Sequence, residues 1–308
     1  MNLVLLDAET LGSDLDLSVL ERFGDLEVYD ITEPDATADN IAGADIVLTN
    51  KVVIDRAIME QTPSLKLICI TATGMNNVDL EAAEELGIAV RNVAGYSTTS
   101  VTEHTFAMLF SIVKKMEYYT LFARGGAWSQ SPIFTHLEQP FWEIAGKRWG
   151  IIGMGTIGQN VARIATAFGA EVVYHSTSDA NTDQPYKHVD LDTLLSTCDV
   201  VSIHAPLNDQ TRNLIGRENL PLLRDGAILL NVGRGGIINE AALAQELDRR
   251  ELYAGLDVLE TEPIPSYHPF MHIDHIERLL MTPHVAWGSI ESRQKLLEGV
   301  VKNIEEFV

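Results

Sequence analysis

The run Gly153-Met154-Gly155-Thr156-Ile157-Gly158 constrains this chain more than any other feature. It follows an apolar, strand-like stretch at residues 149–152 and opens a helical pattern at 156–168. A tight turn asks for glycine at 153, close backbone approach to a pyrophosphate asks for it at 155, and helix–strand packing asks for it at 158. The helix start then offers unpaired N–H groups and the positive end of its dipole to phosphates. The glycines alone also suit a nucleotide-free α/β turn; the strand before and the helix after favour a dinucleotide site.

The rest of the chain repeats that β-then-α rhythm. Apolar runs at 3–6, 45–48, 67–70 and 88–91 read as buried strands, with a helix at 81–86 before the last. A polar break at 95–100 precedes a long apolar helix expected over 101–123, its start fixed by a capping box of Ser100 and Glu103. After a loop at 128–146, strands are expected at 149–153, 170–175, 200–204, 227–232, 253–257 and 279–282, with helices at 191–197 and 240–249. Alternation of this kind belongs to parallel sheets covered on both faces, hence an α/β fold. With 308 residues the chain exceeds one core, so two units are expected, and the helix at 290–307 is long enough to fold back onto the first.

Acidic residues number 44 against 22 basic ones, a formal charge of -22, and no basic stripe exists to displace counterions from a phosphate backbone. Nucleic acid is excluded as a partner on that ground. Two cysteines, Cys69 and Cys198, lie in or beside apolar strands and read as small buried hydrophobes. No targeting pattern opens the chain and no apolar run reaches 18 residues, so no membrane association and the cytoplasm are expected. Metal binding has no support: His268, His272 and His275 are interrupted by Pro269 and read as a solvated surface.

Three polar residues stand at strand ends or in the loops after them, where open α/β sheets bind ligands: Arg234, Glu262 and His284. Reducing a 2-oxo acid needs a cation for carboxylate and carbonyl, a proton donor for the carbonyl oxygen, and a carboxylate that orients the donor and favours its charged form. Spacing alone would leave these three as ordinary surface and core residues.

Together with 153–158 and 95–107, however, the segments around them resemble the D-isomer-specific 2-hydroxyacid dehydrogenase family, from about residue 65 to 287. The resemblance implies two doubly wound parallel-sheet domains with a cleft between them. One is a discontinuous, flavodoxin-like substrate domain at 1–98 and 286–308; the other is a Rossmann cofactor domain at 99–285. It implies that Arg234 binds substrate, His284 is the acid/base and Glu262 pairs with His284. Thr73 and Gly74 resemble the loop whose amides hold the substrate carboxylate, while Asp79 also reads as an ordinary helix N-cap. Carried over in the same way are cofactor contacts at Gly153, Gly155, Thr156, Ile157, Gly158, Ala205, Pro206, Thr211, Val232 and Asp257. His204 and His104 read as structural. A homodimer using the region of helix 101–123 is implied as well.

An acidic residue would normally bind the ribose 2′-OH after the second strand, yet Tyr174-His175-Ser176-Thr177-Ser178 holds none before Asp179. Ser176 and Thr177 are the expected ribose contacts, no arginine stands beside them, and NAD versus NADP is left open. Trp287 and the 128–134 loop resemble the glycerate dehydrogenase, or hydroxypyruvate reductase, branch. Alternatives are a broad-range or branched/aromatic 2-oxo acid reductase, or a non-catalytic NAD(H)-sensing corepressor-like module. Phosphoglycerate and formate are disfavoured, since no appended regulatory domain or long N-terminal extension is expected.

Overall fold

The computed structural model describes residues 1–178, 180–181 and 183–308; Asp179, the nearest carboxylate after the second strand, lies outside them. The chain divides into two compact units, Met1–Ser97 with Trp287–Val308, and Thr98–Ala286.

The first unit carries β1 (Asn2–Leu5), β2 (Asp25–Val28), β3 (Ile46–Thr49), β4 (Leu67–Ile70) and β5 (Ala89–Arg91), with short helices α1 (Thr37–Asn40), α2 (Arg56–Glu60) and α3 (Leu80–Glu85). All strands are parallel in the order β2-β1-β3-β4-β5, a flavodoxin-like doubly wound sheet. β3 and β4 have no exposed residue, because helices or loops cover both faces. Asp79 caps α3 by accepting from Ala82 N. β2 was not expected: its four residues are mostly exposed, so it lacks the apolar signature of the central strands.

The second unit begins with α4 (Thr98–Val113) and α5 (Met116–Arg124), two helices where the sequence led us to expect one. The break falls at Lys115, whose φ of 53° cannot continue a right-handed helix. Lys115 Nζ lies 3.7 Å from the centroid of Tyr253. Nor does Ser100 cap α4, which starts two residues earlier; its hydroxyl donates to Ala286 O at 2.6 Å.

A seven-stranded parallel sheet follows: β6 (Arg148–Ile152), β7 (Glu171–His175), β8 (Lys187–His188), β9 (Val200–Ile203), β10 (Ile228–Asn231), β11 (Tyr253–Leu256) and β12 (Leu279–Met281). Six were expected; β8, with two exposed residues, left no apolar run to read. The order β12-β11-β10-β9-β6-β7-β8 reverses direction between β9 and β6, the Rossmann arrangement with one added strand. Helices α6 (Thr156–Ala167), α7 (Leu191–Thr197) and α8 (Glu240–Arg249) join these strands. α9 (Ile290–Glu305) closes the chain and gives Leu296, Val300 and Ile304 to the core of the first unit, beside Leu3, Leu5 and Ile46. Cys69 and Cys198 are buried and unpaired, and burial pushes their thiols up to about 12 and about 11. No helix among the described residues is long and apolar enough to cross a membrane.

Candidate active site

Register aligns one edge of the larger sheet. His175, Ile152, Ile203, Asn231, Leu256 and Met281 pair side by side across β7, β6, β9, β10, β11 and β12. Every candidate residue of this unit follows one of those strand ends.

At the switch point, Gly153 takes φ 91°, and a Cβ on it would lie 2.8 Å from Ala205 N. Glycine is therefore required twice over, by conformation and by the loop carrying Ala205 and Pro206. A Cβ on Gly158 would strike Gly153 O at 2.2 Å, whereas one on Gly155 would meet nothing within 4 Å. Open space beside bare backbone is what a pyrophosphate needs. Gly155 also N-caps α6 with no side-chain bond, although Asp190 and Asn239 cap α7 and α8. The first-turn N–H groups of Thr156, Ile157 and Gly158 thus have no i−4 carbonyl and no capping side chain. These residues fit a dinucleotide phosphate.

Other expected contacts sit differently. Thr211 is fully buried and donates its hydroxyl to Pro206 O at 2.7 Å, so it shapes the 206–211 loop from behind and offers no surface to a ligand. Ser176 is buried too; its hydroxyl donates to Ala180 O, while Thr177 is half-buried. Val232 is buried at the end of β10. Asp257 uses both carboxylate oxygens within the unit: Oδ1 accepts from Thr282 Oγ1 (2.6 Å) and Val285 N (2.9 Å), and Oδ2 from Ala286 N (2.9 Å). It therefore anchors the segment that carries His284. His104 joins this network, with Nε2 3.0 Å from Thr282 Oγ1. His204 Nε2 lies 3.0 Å from Ser202 Oγ, and its buried Nδ1 has no partner among the described residues.

Arg234 leaves β10 on a loop pinned by Asn231, whose Nδ2 donates to Arg234 O (2.8 Å) and whose Oδ1 accepts from Gly233 N (3.1 Å). Sequence reasoning missed Asn231. The guanidinium donates one bond, Nη1 to Gly233 O at 2.8 Å, and has no carboxylate partner among the described residues. Glu262 and His284 meet: Nδ1 of His284 lies 2.6 Å from Oε2 of Glu262, while Oε1 of Glu262 accepts from Leu259 N at 2.8 Å. An ionised carboxylate can only accept, so Nδ1 carries a proton and Nε2 is left to exchange one with a ligand. The pair is partly open to solvent.

In the first unit, Thr73 Oγ1 donates to Val93 O (3.0 Å) and Asn92 Nδ2 donates to Thr73 O (2.6 Å). Those two bonds brace the loop, and the amides of Thr73 and Gly74 have no acceptor among the described residues. Trp287 packs edge-on against Tyr96, ring centroids 6.2 Å apart. No cluster of three metal-ligating side chains occurs among the described residues.

The two parallel sheets, the open glycine turn and the histidine–carboxylate pair fit a dinucleotide-dependent oxidoreductase, and the family match makes it one that acts on 2-hydroxy acids. The NAD binding domain profile of the D-isomer specific 2-hydroxyacid dehydrogenases matches residues 106–286, and the chain belongs to that family. It is 36% identical to the hydroxypyruvate reductase of Blautia hydrogenotrophica, over 100% of this chain and 97% of that one. It is 37% identical to the glycerate dehydrogenase of Methylorubrum extorquens, over 89% and 86%. A Thermus thermophilus protein of known structure superposes with a TM-score of 0.89 at 33% identity, covering 99% and 96%. NAD or NADP is the cofactor of this family's chemistry.

Proposed function

We propose that the protein reduces hydroxypyruvate to D-glycerate, and that residues 1–98 with 286–308 serve the substrate while 99–285 hold the cofactor. The observation carrying this reading is the 2.6 Å contact between His284 and Glu262 in the unit whose Arg234 guanidinium has no carboxylate partner among the described residues. The identity with a hydroxypyruvate reductase and a glycerate dehydrogenase favours the three-carbon hydroxylated substrate.

When bound, the nicotinamide supplies or accepts the hydride. Gly153, Gly155, Thr156, Ile157 and Gly158 would hold the pyrophosphate through backbone N–H groups, with Ala205, Pro206 and Val232 as further cofactor contacts and Ser176 and Thr177 as the ribose contacts. Arg234 gives a two-pronged donor to the substrate carboxylate and carbonyl. The amides of Thr73 and Gly74, without an acceptor among the described residues, donate to the substrate carboxylate, and Trp287 is a further substrate contact. His284 Nε2 passes a proton to the carbonyl oxygen during reduction and takes it back during oxidation; Glu262 stabilises the imidazolium. The proposal includes a cytoplasmic homodimer. α5 has no buried residue, and Leu121, Ile133, Phe134 and Leu137 near it are exposed, which suits a second copy of the chain.

Initial rates with hydroxypyruvate, glyoxylate, pyruvate and 2-oxoisocaproate, each with NADH and NADPH, test this. The highest kcat/KM is expected for hydroxypyruvate. Preference for 2-oxoisocaproate would overturn the substrate, and tight NADH binding without turnover on any of the four would overturn the enzyme.

A further inference from the structure

Arg234 and Glu262 stand on separate loops, and Glu240 ties one loop to the other. As the first residue of α8, it follows directly from the Arg234 loop, and its carboxylate turns inward, with the residue only 9% exposed. Oε1 accepts from Glu260 N at 2.7 Å, two residues before Glu262. Oε2 lies 2.8 Å from Nε2 of His268, itself 8% exposed.

The state of His268 follows from its other nitrogen. Phe270 N donates to Nδ1 at 3.2 Å, and a main-chain N–H can only donate, so Nδ1 is the acceptor and Nε2 carries the proton. A neutral imidazole thus donates to a charged carboxylate, and both oxygens of Glu240 are committed. The loops also touch directly: a Cβ on Gly235, next to Arg234, would fall 2.0 Å from Leu259 O and 2.4 Å from Glu260 N. The turn at 259–262 is therefore gripped from two sides, and the same turn aims Glu262, because Leu259 N donates to Glu262 Oε1.

We propose that Glu240, held by His268, is a positioning residue that fixes the 259–262 turn so that the Glu262 carboxylate meets His284. This rests on reading Glu262 and His284 as the proton-transfer pair. Stability alone gives weak reason for the arrangement, since well-packed apolar residues often replace a buried polar pair at no loss. A shift of about 1 Å in a supporting group can cost roughly 100-fold in rate, which gives the arrangement its use.

The test compares Glu240→Ala, Glu262→Gln, their combination, His268→Ala and His268→Gln. Readouts are kcat and KM for hydroxypyruvate, NADH affinity by fluorescence, and Tm. Glu240→Ala should lower kcat by about 10- to 100-fold while NADH affinity stays within about twofold. The double variant should be no slower than Glu262→Gln by more than about twofold, because the first change acts through the second residue. His268→Ala should lose kcat, and His268→Gln should regain most of it, since one amide can donate to Glu240 and accept from Phe270 N. Losses that multiply in the double variant, or a lowered Tm with wild-type kcat, overturn the proposal. If Glu240→Ala does not fold, the two His268 variants decide: loss without rescue by glutamine overturns it. Wild-type kcat in Glu262→Gln would instead overturn the reading of the pair itself.

Discussion

His284 adopts a φ of 53°, in the left-handed region that costs an ordinary residue about 1 kcal/mol or more. Two bonds from its amide, to Asp257 O and Thr282 O at 2.9 Å each, hold it there, and Asp257 secures the next two amides. Arg234 is placed with similar care, by Asn231, and its guanidinium has no carboxylate partner among the described residues. Arg234→Ala is therefore expected to lose kcat/KM on the best 2-oxo acid by at least about 100-fold, and Arg234→Lys to lose less, keeping charge without the paired geometry. Near wild-type kcat/KM in both variants would remove Arg234 from the substrate. The three residues were legible only as part of a family pattern, since Arg, Glu and His scattered along a chain carry no spacing signal. Their supports were not. Glu240 and His268 are 28 positions apart, and only the fold brings them to 2.8 Å. His268, expected on a solvated surface, is buried because that carboxylate satisfies its ring.

At the scale of elements, strands buried on both faces announce themselves as short apolar runs, and β3, β4, β9 and β10 all do. Exposed edge strands such as β2 and β8 do not, and the break between α4 and α5 comes from one backbone angle at Lys115 that no apolar period encodes. The β6–α6 turn was the clearest signal in the sequence, and its glycines separate into different physical jobs. Gly158 is a packing position: a methyl at 2.2 Å from Gly153 O must push α6 from β6. Gly158→Ala should lower stability by about 1–3 kcal/mol and weaken NADH binding together. Gly155 borders open space, so Gly155→Ala should keep the wild-type Tm yet weaken NADH at least about 10-fold, because its methyl occupies the phosphate's approach. Thermal melts with NADH titration distinguish the two. Wild-type NADH affinity in Gly155→Ala would mean the pyrophosphate lies elsewhere.

For the whole molecule, the formal charge of -22 makes acidification a contest between opposing effects. Protonating carboxylates relieves the repulsion among them, which favours the folded chain as pH begins to fall. His204 works the other way. Its residue keeps some surface, but Nδ1 is buried without a partner among the described residues, and desolvation pushes the imidazole down from 6.5 to about 3. The unfolded chain therefore takes up a proton below about pH 6.5 that the folded chain refuses until about pH 3. The neutral ring's contribution is fully present above 6.5 and is lost progressively as pH drops towards 3. Between pH 7 and 5 that single group should cost the folded state roughly 2 kcal/mol. His204→Gln removes the titration while its amide can still reach Ser202 Oγ, which also accepts from Trp149 Nε1 at 2.9 Å. Urea unfolding of both proteins at pH 7 and pH 5 isolates the effect, because the carboxylates are common to the two. The drop in unfolding free energy should be smaller in His204→Gln by that amount, and equal drops would show that His204 takes up its proton without unfolding.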